Sequence, residues 1–456
     1  MIGAPSFWRD TVAAPPARPA LRGAQSCDVA VIGGGFTGLW SAILLKEAQP
    51  DLGVTIVEQA EVGFGASGRN GGFAMTLLDL SLADLLAHQG AQQARRAHVA
   101  AADAVEAVGR FIADRGIDCD WRHGGLMVVA TNATQMSRIE ADLSAADQLG
   151  LDGFTPLSGP EARERLHSPT YRGGYHEAHA GVLNPLKLVH GLAAEAERLG
   201  VRILERSPVT IDDGGAGGVR LLSEHGSVAA DQVVVTTNAW AGQPGSFRET
   251  ITPLYTYILM TEPLDADQWE RIGWEDHCGV EDKRGFVHYY RRTADGRILW
   301  GGSDGVIYRN GSIHPRHDTH GGIARRLQHT FRATFPQLRG VRFTHHWGGP
   351  VALTRRMVPA FGTTHGGRVH HGFGYCGHGV GPSHLGGRIL RDKVLGADTD
   401  LMSLCFVDAD AGGTPPYPLR WAGSVALRRA VTRQDDREER RFDDVLPTPW
   451  AMRVLH

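Results

Sequence analysis

Asp28-Val-Ala-Val-Ile32 is an unbroken apolar run rich in β-branched residues, the pattern of a strand buried on both faces of a parallel sheet. The residues from about Thr37 to Ala48 then read as a helix, and Val54-Thr-Ile-Val-Glu58 reads as a second strand. Together they close a β-α-β unit within about thirty residues, the length such a unit needs. Leu82 to Gly116 and Gln135 to Leu149 carry the apolar and polar faces of amphipathic helices, with a strand at Gly125–Ala130 between them. Leu186 to Leu199 predicts a helix that leads into the strand Val201–Leu204, and Gln232–Thr237 predicts a further buried strand. From Ile251 to Val306 the pattern changes to long strands without helices (Leu254–Thr261, Gly285–Tyr290 and Arg297–Gly302), which predicts an antiparallel sheet. Gly372 to Gly381 is a second glycine-rich turn, opening a helix over Leu385–Leu395. Past Gly412 come Thr414-Pro-Pro-Tyr-Pro418 and a mixed-charge helix over Val425–Arg441, expected to pack on the main body through a solvated face.

This order predicts an α/β fold in which a Rossmann-like dinucleotide-binding domain is interleaved with a substrate domain built on an antiparallel sheet (α+β). The first is expected over residues 25–80, 180–245 and 345–396, the second over 81–179 and 246–344, with 397–456 as a tail on the body. With 42% hydrophobic and 21% charged residues, the chain of 456 can bury a sizeable core. A net charge of -3 gives no field of one sign to attract nucleic acid or an anionic membrane, which leaves small molecules as the expected partners. Five scattered cysteines without Cys-x-x-Cys spacing are expected to be reduced thiols, and so to indicate the cytoplasm. Met1 to Gly23 lacks the order of a signal peptide, and three consecutive glycines break the apolar stretch Val29–Leu45, so no membrane span is expected.

Gly33-x-Gly35-x-x-Gly38 follows the first strand and opens the first helix, and Glu58 stands twenty residues beyond. Alone such a motif is weak; in this position each residue has a physical task. Gly33 permits the turn, Gly35 admits a pyrophosphate to the backbone, Gly38 lets helix and strand approach, and Glu58 can hold ribose hydroxyls. The helix start, with Phe36 and Thr37, supplies a positive field for phosphate. The motif does not separate NAD from FAD.

Gly63-Phe-Gly-Ala-Ser-Gly-Arg-Asn-Gly-Gly72 does separate them. It resembles the second dinucleotide loop of the D-amino-acid oxidase and glycine oxidase superfamily of FAD enzymes, most closely the gamma-glutamylputrescine oxidase and aminophosphonate oxidoreductase branch. Further stations agree in order: Gly181-Val-Leu-Asn-Pro185, Pro208-Val209, Val235-Thr-Thr-Asn-Ala-Trp240, Tyr289-Tyr-Arg291, Asp295-Gly-Arg-Ile-Leu-Trp-Gly-Gly302, Trp347-Gly-Gly349 and Gly374-Tyr-Cys-Gly-His-Gly-Val380. The resemblance spans about Phe7 to Arg441. It implies an FAD-dependent oxidoreductase that oxidises an amine carbon-nitrogen bond by hydride transfer, giving an imine that hydrolyses, with oxygen as acceptor and hydrogen peroxide released. The alternatives are a dehydrogenase with another acceptor and a flavin-binding protein without catalysis.

The resemblance also implies site residues. FAD would be held by the Gly33–Gly38 turn and Glu58, by Gly65, Ser67, Arg69, Asn70, Gly71 and Gly72, by Val209 at the adenine, by Asn238 and Trp240, and by Gly374, Gly377, His378, Gly379 and Val380 at the flavin's pyrimidine side. Cys376 replaces a usual serine there. Ser67 and Gly349-Pro-Val351 stand where some relatives attach FAD through histidine or cysteine, which implies noncovalent FAD. The lysine that sarcosine oxidases place near the flavin has no counterpart in Arg297–Gly302, which makes the oxygen assignment weaker. Tyr289, Tyr290 and Trp347 are expected as aromatic walls and Arg291 as a polar contact; strand alternation puts Tyr289 and Arg291 on one face and Tyr290 on the other. Val351 stands where amino-acid oxidases carry a carboxylate-gripping arginine. The implied substrate is therefore an amine whose acidic group is remote, met by Arg291 or Arg356, while Arg355 and Arg356 otherwise read as surface cations. His314, His317 and His320 could suggest a metal, but the intervening proline argues for a solvated loop, and no metal is expected.

Overall fold

The computed structural model describes residues 6–212, 218–242 and 247–447. The first residues of the N-terminal segment, the expected junction between 245 and 246 and the end of the tail from 448 lie outside them. The apolar run at Val29–Ile32 extends backward into a ten-residue strand, Gly23–Ile32, at the centre of an eight-stranded sheet. It pairs in parallel with Val54–Val57 on one side and with Gly226–Val235 on the other. Outward lie Arg202–Leu204 and Val369–Phe373, also parallel, and the antiparallel edge Ala360–Thr364. All four residues of Val54–Val57 are buried, as expected of a parallel sheet covered on both faces.

Helix Phe36–Ala48 is apolar nearly all round because it lies between helices Pro185–Arg198 and Pro382–Leu395. A Cβ built at Gly387 would stand 2.7 Å from Trp40 Cβ, so only glycine allows the two helices to cross this closely. Helix Leu82–Arg115 runs alongside and breaks at Gly90, where φ is 74°.

The second sheet also has eight strands, in the order Phe343–Thr354, Ile251–Thr261, Ile298–Gly302, His288–Arg292, Gly279–Asp282, Leu126–Ala130, Gly173–Glu177 and Phe154–Ser158. Neighbours are antiparallel except at the seam, where Gly279–Asp282 runs parallel to Leu126–Ala130 and joins the two separate stretches of chain. The expected antiparallel sheet is thus mixed at one pair. The stretch expected to lack helices holds one at Ala266–Ile272, stabilised by a capping box between Asp265 and Gln268. The boundary expected at 345 falls inside strand Phe343–Thr354, which pairs along nearly its whole length with Ile251–Thr261.

The terminal helix, Leu419–Arg440, is docked more firmly than a solvated face requires. Its buried Asp435 accepts from Gly285 N (2.8 Å) and Phe286 N (3.1 Å), and buried Glu438 pairs with Arg138 at 2.6 Å. Among the described residues no helix is long and apolar enough to cross a membrane.

Candidate active site

The Gly33–Gly38 turn is shaped by contacts that exclude side chains. Gly33 has φ 110°, and a Cβ at Gly38 would collide with the carbonyl of Gly33 and lie 2.8 Å from Thr236 Oγ1. A Cβ at Gly35 would stand 2.8 Å from Ser67 Oγ, whose hydroxyl accepts from Phe36 N at 2.9 Å. The helix N-cap is Gly35 and brings no side-chain cap, leaving the positive end of the helix for an anion. Glu58 turns back on this turn: its carboxylate accepts from Gly34 N (2.8 Å) and Ala60 N (2.9 Å), and burial raises its pKa. Val209 lies just beyond Ser207, whose N–H donates to Glu58 O, which places both beside the same strand end.

The loop 63–72 holds its own form through the residues that made it recognisable. Asn70 donates to Ala66 O and Ser67 O and accepts from Gly72 N; Arg69 donates to Phe64 O and pairs with Asp318 at 2.8 Å. Gly72, with φ 76°, accepts from Leu183 N at 2.8 Å. Trp240 lies over Gly65, where a Cβ would approach it to 3.2 Å. Sequence reasoning missed two supports. Ser6 donates to Gly68 O and Trp8 Nε1 to Asn70 O, so the N-terminal segment braces the loop. Asp318, expected in a solvated loop, is buried and holds Arg69; the correction has a physical cause, since an arginine this enclosed requires a counter-charge.

Turn 374–380 meets the first helix and a third loop. Tyr375 OH accepts from Thr37 Oγ1 at 3.0 Å, and Gly374 N donates to Asn238 Oδ1 at 3.3 Å. A Cβ at Gly379 would approach Tyr375 to 3.2 Å, one at Gly377 would meet nothing within 4 Å, and Val380 is buried in the core. His378 Nδ1 bonds Asp79 Oδ1 at 3.1 Å; burial lowers its pKa, but the Asp79 hydrogen bond and charge more than offset this and raise it overall. Asp79 (φ 81°), Asn238 (φ 44°) and Cys376 (φ 52°) are all left-handed without being glycine, and such strain concentrates where backbone shape serves a ligand. Asp79 carries no local sequence signal.

One face of the second sheet closes this region. Cross-strand register aligns Glu177 with Leu126, Val128 with Glu281, Glu281 with Tyr289, and Ile258 with Trp347, all on that face. Tyr289 abuts the loop, at 3.0 Å from a Cβ built on Gly71. Tyr290 points away, stacking on Trp300 at 4.3 Å and bonding Tyr171 OH at 2.6 Å. Arg291 shares Tyr289's face, but it donates to Gly71 O and Leu183 O, both at 2.7 Å, and lies over Trp8. Burial lowers its pKa to about 9, which still leaves it charged at neutral pH. Its role here is to tie the loop to the sheet. Trp347 is wholly buried and donates to Arg69 O at 2.8 Å. Arg355 is exposed and Arg356 half-buried, while Val351 is half-buried on the edge strand. His317 stacks on Tyr308, and Tyr257 OH donates to His317 O; among the described residues no group of three acidic, histidine or cysteine side chains could hold a metal.

The helix start without a cap from its own N-cap residue, the glycine contacts and the open backbone at Gly377 fit a dinucleotide. Comparison with known proteins agrees. The family described as DAO, FAD dependent oxidoreductase, matches residues 28–393. Gamma-glutamylputrescine oxidoreductase of Escherichia coli is 34% identical over 375 residues, covering 81% of this chain and 84% of that protein. A probable oxidoreductase, OrdL, of Haemophilus influenzae is 29% identical, covering 84% and 86%. Among solved structures, glycine oxidase from Geobacillus kaustophilus superposes with a TM-score of 0.70 at 21% identity, covering 85% of this chain and 99% of that one.

Proposed function

We propose, from the premise that this chain belongs to the FAD dependent oxidoreductase family, that it oxidises the carbon-nitrogen bond of a small amine and passes the electrons to oxygen, releasing hydrogen peroxide. Bound FAD would supply a hydride acceptor for the carbon that bears nitrogen, and water would hydrolyse the resulting imine to an aldehyde or ketone with release of the amine nitrogen. The observation that carries the reading is the convergence of Gly33–Gly38, loop 63–72 and turn 374–380 on one region, closed by the buried face that bears Tyr289. The name of the E. coli relative supports an amine as substrate.

In this reading the first-helix N–H groups hold phosphate, with Ser67 able to give up its bond to Phe36 N for a phosphate oxygen. Glu58 would accept from ribose hydroxyls, and Trp240 packs against Phe64 of the loop. Helix Pro382–Leu395 starts at Gly381 without a side-chain cap and directs its positive end at turn 374–380, where negative charge on the ring would be stabilised. His378, whose charged form the Asp79 hydrogen bond and charge favour, lies in the same turn. Tyr289 and the apolar residues around it exclude water from the reacting carbon. The test is anaerobic reduction of the bound flavin by amines, followed by admission of air: rapid reoxidation with peroxide supports the oxidase, whereas reoxidation by a dye but not by air supports a dehydrogenase.

A further inference from the structure

Beside Tyr289 the same sheet face forms the floor of a small cavity of about 40 Å³, roofed by the segment 75–85 and helix Leu82–Arg115. Its polar lining comprises Thr76, His98, Asp142, Tyr175, Glu177, Glu281 and Lys283. Lys283 is spent on Asp142, 2.5 Å away, and Glu177 is bonded by the Thr76 hydroxyl. His98 is pushed down to about 4 by burial and is neutral. Glu281 is different. It is 6% exposed, lines the cavity, and has neither a hydrogen bond nor an ion pair among the described residues. It is the cross-strand neighbour of Tyr289, and the charge that most favours its ionised form is His378 of turn 374–380, so this end of the cavity faces that turn.

On the strength of the reading above, we infer that this cavity is a subsite for an alkylammonium group, with Glu281 as its ion-pair partner and Glu177 as a second acceptor. A buried carboxylate with no hydrogen bond or close ion pair is costly to ionise even with His378 and Lys283 in its surroundings, and the group that relieves the cost is a cation with several donors. Burial raises the pKa of Glu281 and takes Glu177 to about 7, the state of carboxylates awaiting a counter-ion. The one arginine on the face, Arg291, is committed to carbonyl oxygens, so the expectation that it meets a substrate anion is replaced by recognition of a cation.

Dithionite-reduced holoenzyme cannot oxidise an amine, so binding can be measured on it without turnover. Calorimetric titrations with n-butylammonium, 1,4-diaminobutane and butanoate should show both amines binding and butanoate not binding. The Glu281→Gln holoenzyme should bind the amines at least about tenfold more weakly. A diamine that binds much more tightly than the monoamine places the distal ammonium in the cavity; equal affinities place the reacting one there. Equal amine affinity in wild type and Glu281→Gln, or butanoate binding as tightly as n-butylammonium, overturns the inference. The wild-type comparison of cation with anion decides the matter even if the variant fails to fold. Amines that bind the reduced protein but never bleach the oxidised one would instead sink the proposed reaction and leave the subsite standing.

Discussion

Gly35→Ala and Gly38→Ala, three residues apart on one turn, should fail in different ways. At Gly38 the new methyl collides with the Gly33 carbonyl and sits 2.8 Å from Thr236 Oγ1, so relief requires the helix to move off the sheet. Overpacking against an immovable neighbour costs about 3 kcal/mol. At Gly35 the methyl meets only the Ser67 hydroxyl, at 2.8 Å, which can rotate away and give up its bond from Phe36 N. That loss is worth about 1 kcal/mol. The same methyl, however, occupies the space through which a pyrophosphate reaches the helix start. Denaturant unfolding of the FAD-free proteins should therefore show a large loss for Gly38→Ala and a small one for Gly35→Ala, while gel filtration after FAD loading should strip flavin from Gly35→Ala. Gly38→Ala unfolding at the wild-type midpoint, or Gly35→Ala retaining full FAD, would refute the assignment of these roles.

Heat or acid denaturation should release free FAD into the supernatant, since Ser67 and the Gly349–Val351 stretch offer no histidine or cysteine for attachment; flavin pelleting with the protein would contradict this. Asp318→Asn strands Arg69 in loop 63–72 and should cost about 3 kcal/mol of unfolding free energy, whereas a change under a few tenths would show that the pair does not hold the loop. Burial works to raise the Asp282 pKa, but Arg284 and His288 hold it down at about 2, against 3.8 unperturbed. A depressed carboxylate stabilises above its unfolded pKa and loses that stabilisation as pH falls through the folded value. The contribution of about 2 kcal/mol should therefore disappear between about pH 4 and pH 2 in wild type and be missing from Asp282→Asn, as read by unfolding at each pH.

Local features were legible in the sequence because their causes are local. The run Val29–Ile32, the glycine turn and Glu58 lie within thirty residues of chain, and each reports a steric or electrostatic need of one β-α-β unit. Alternation also placed Tyr289 and Arg291 on one face and Tyr290 on the other. What Arg291 does there was not legible, because its acceptors, Gly71 O and Leu183 O, are 220 and 108 residues away in sequence. Glu281 was missed for a different reason. Gly279–Asp282 has four residues, two of them acidic, and such a segment reads as a loop until its pairing with Leu126–Ala130 is known. Asp79 and Asp318 act on partners distant in sequence, and neither His378 nor Arg69 points to them along the chain.

The central claim, that this chain oxidises amines on bound FAD, is tested most directly by mixing the yellow holoenzyme anaerobically with a panel of amines and following flavin bleaching. The account predicts that primary alkylamines without a carboxylate on the reacting carbon bleach the flavin, and that glycine, sarcosine and D-alanine do so more slowly, because Val351 and the committed Arg291 leave no arginine to grip a carboxylate on that face. Flavin that stays oxidised with every amine, or is reduced faster by glycine or D-alanine than by any of them, would contradict it.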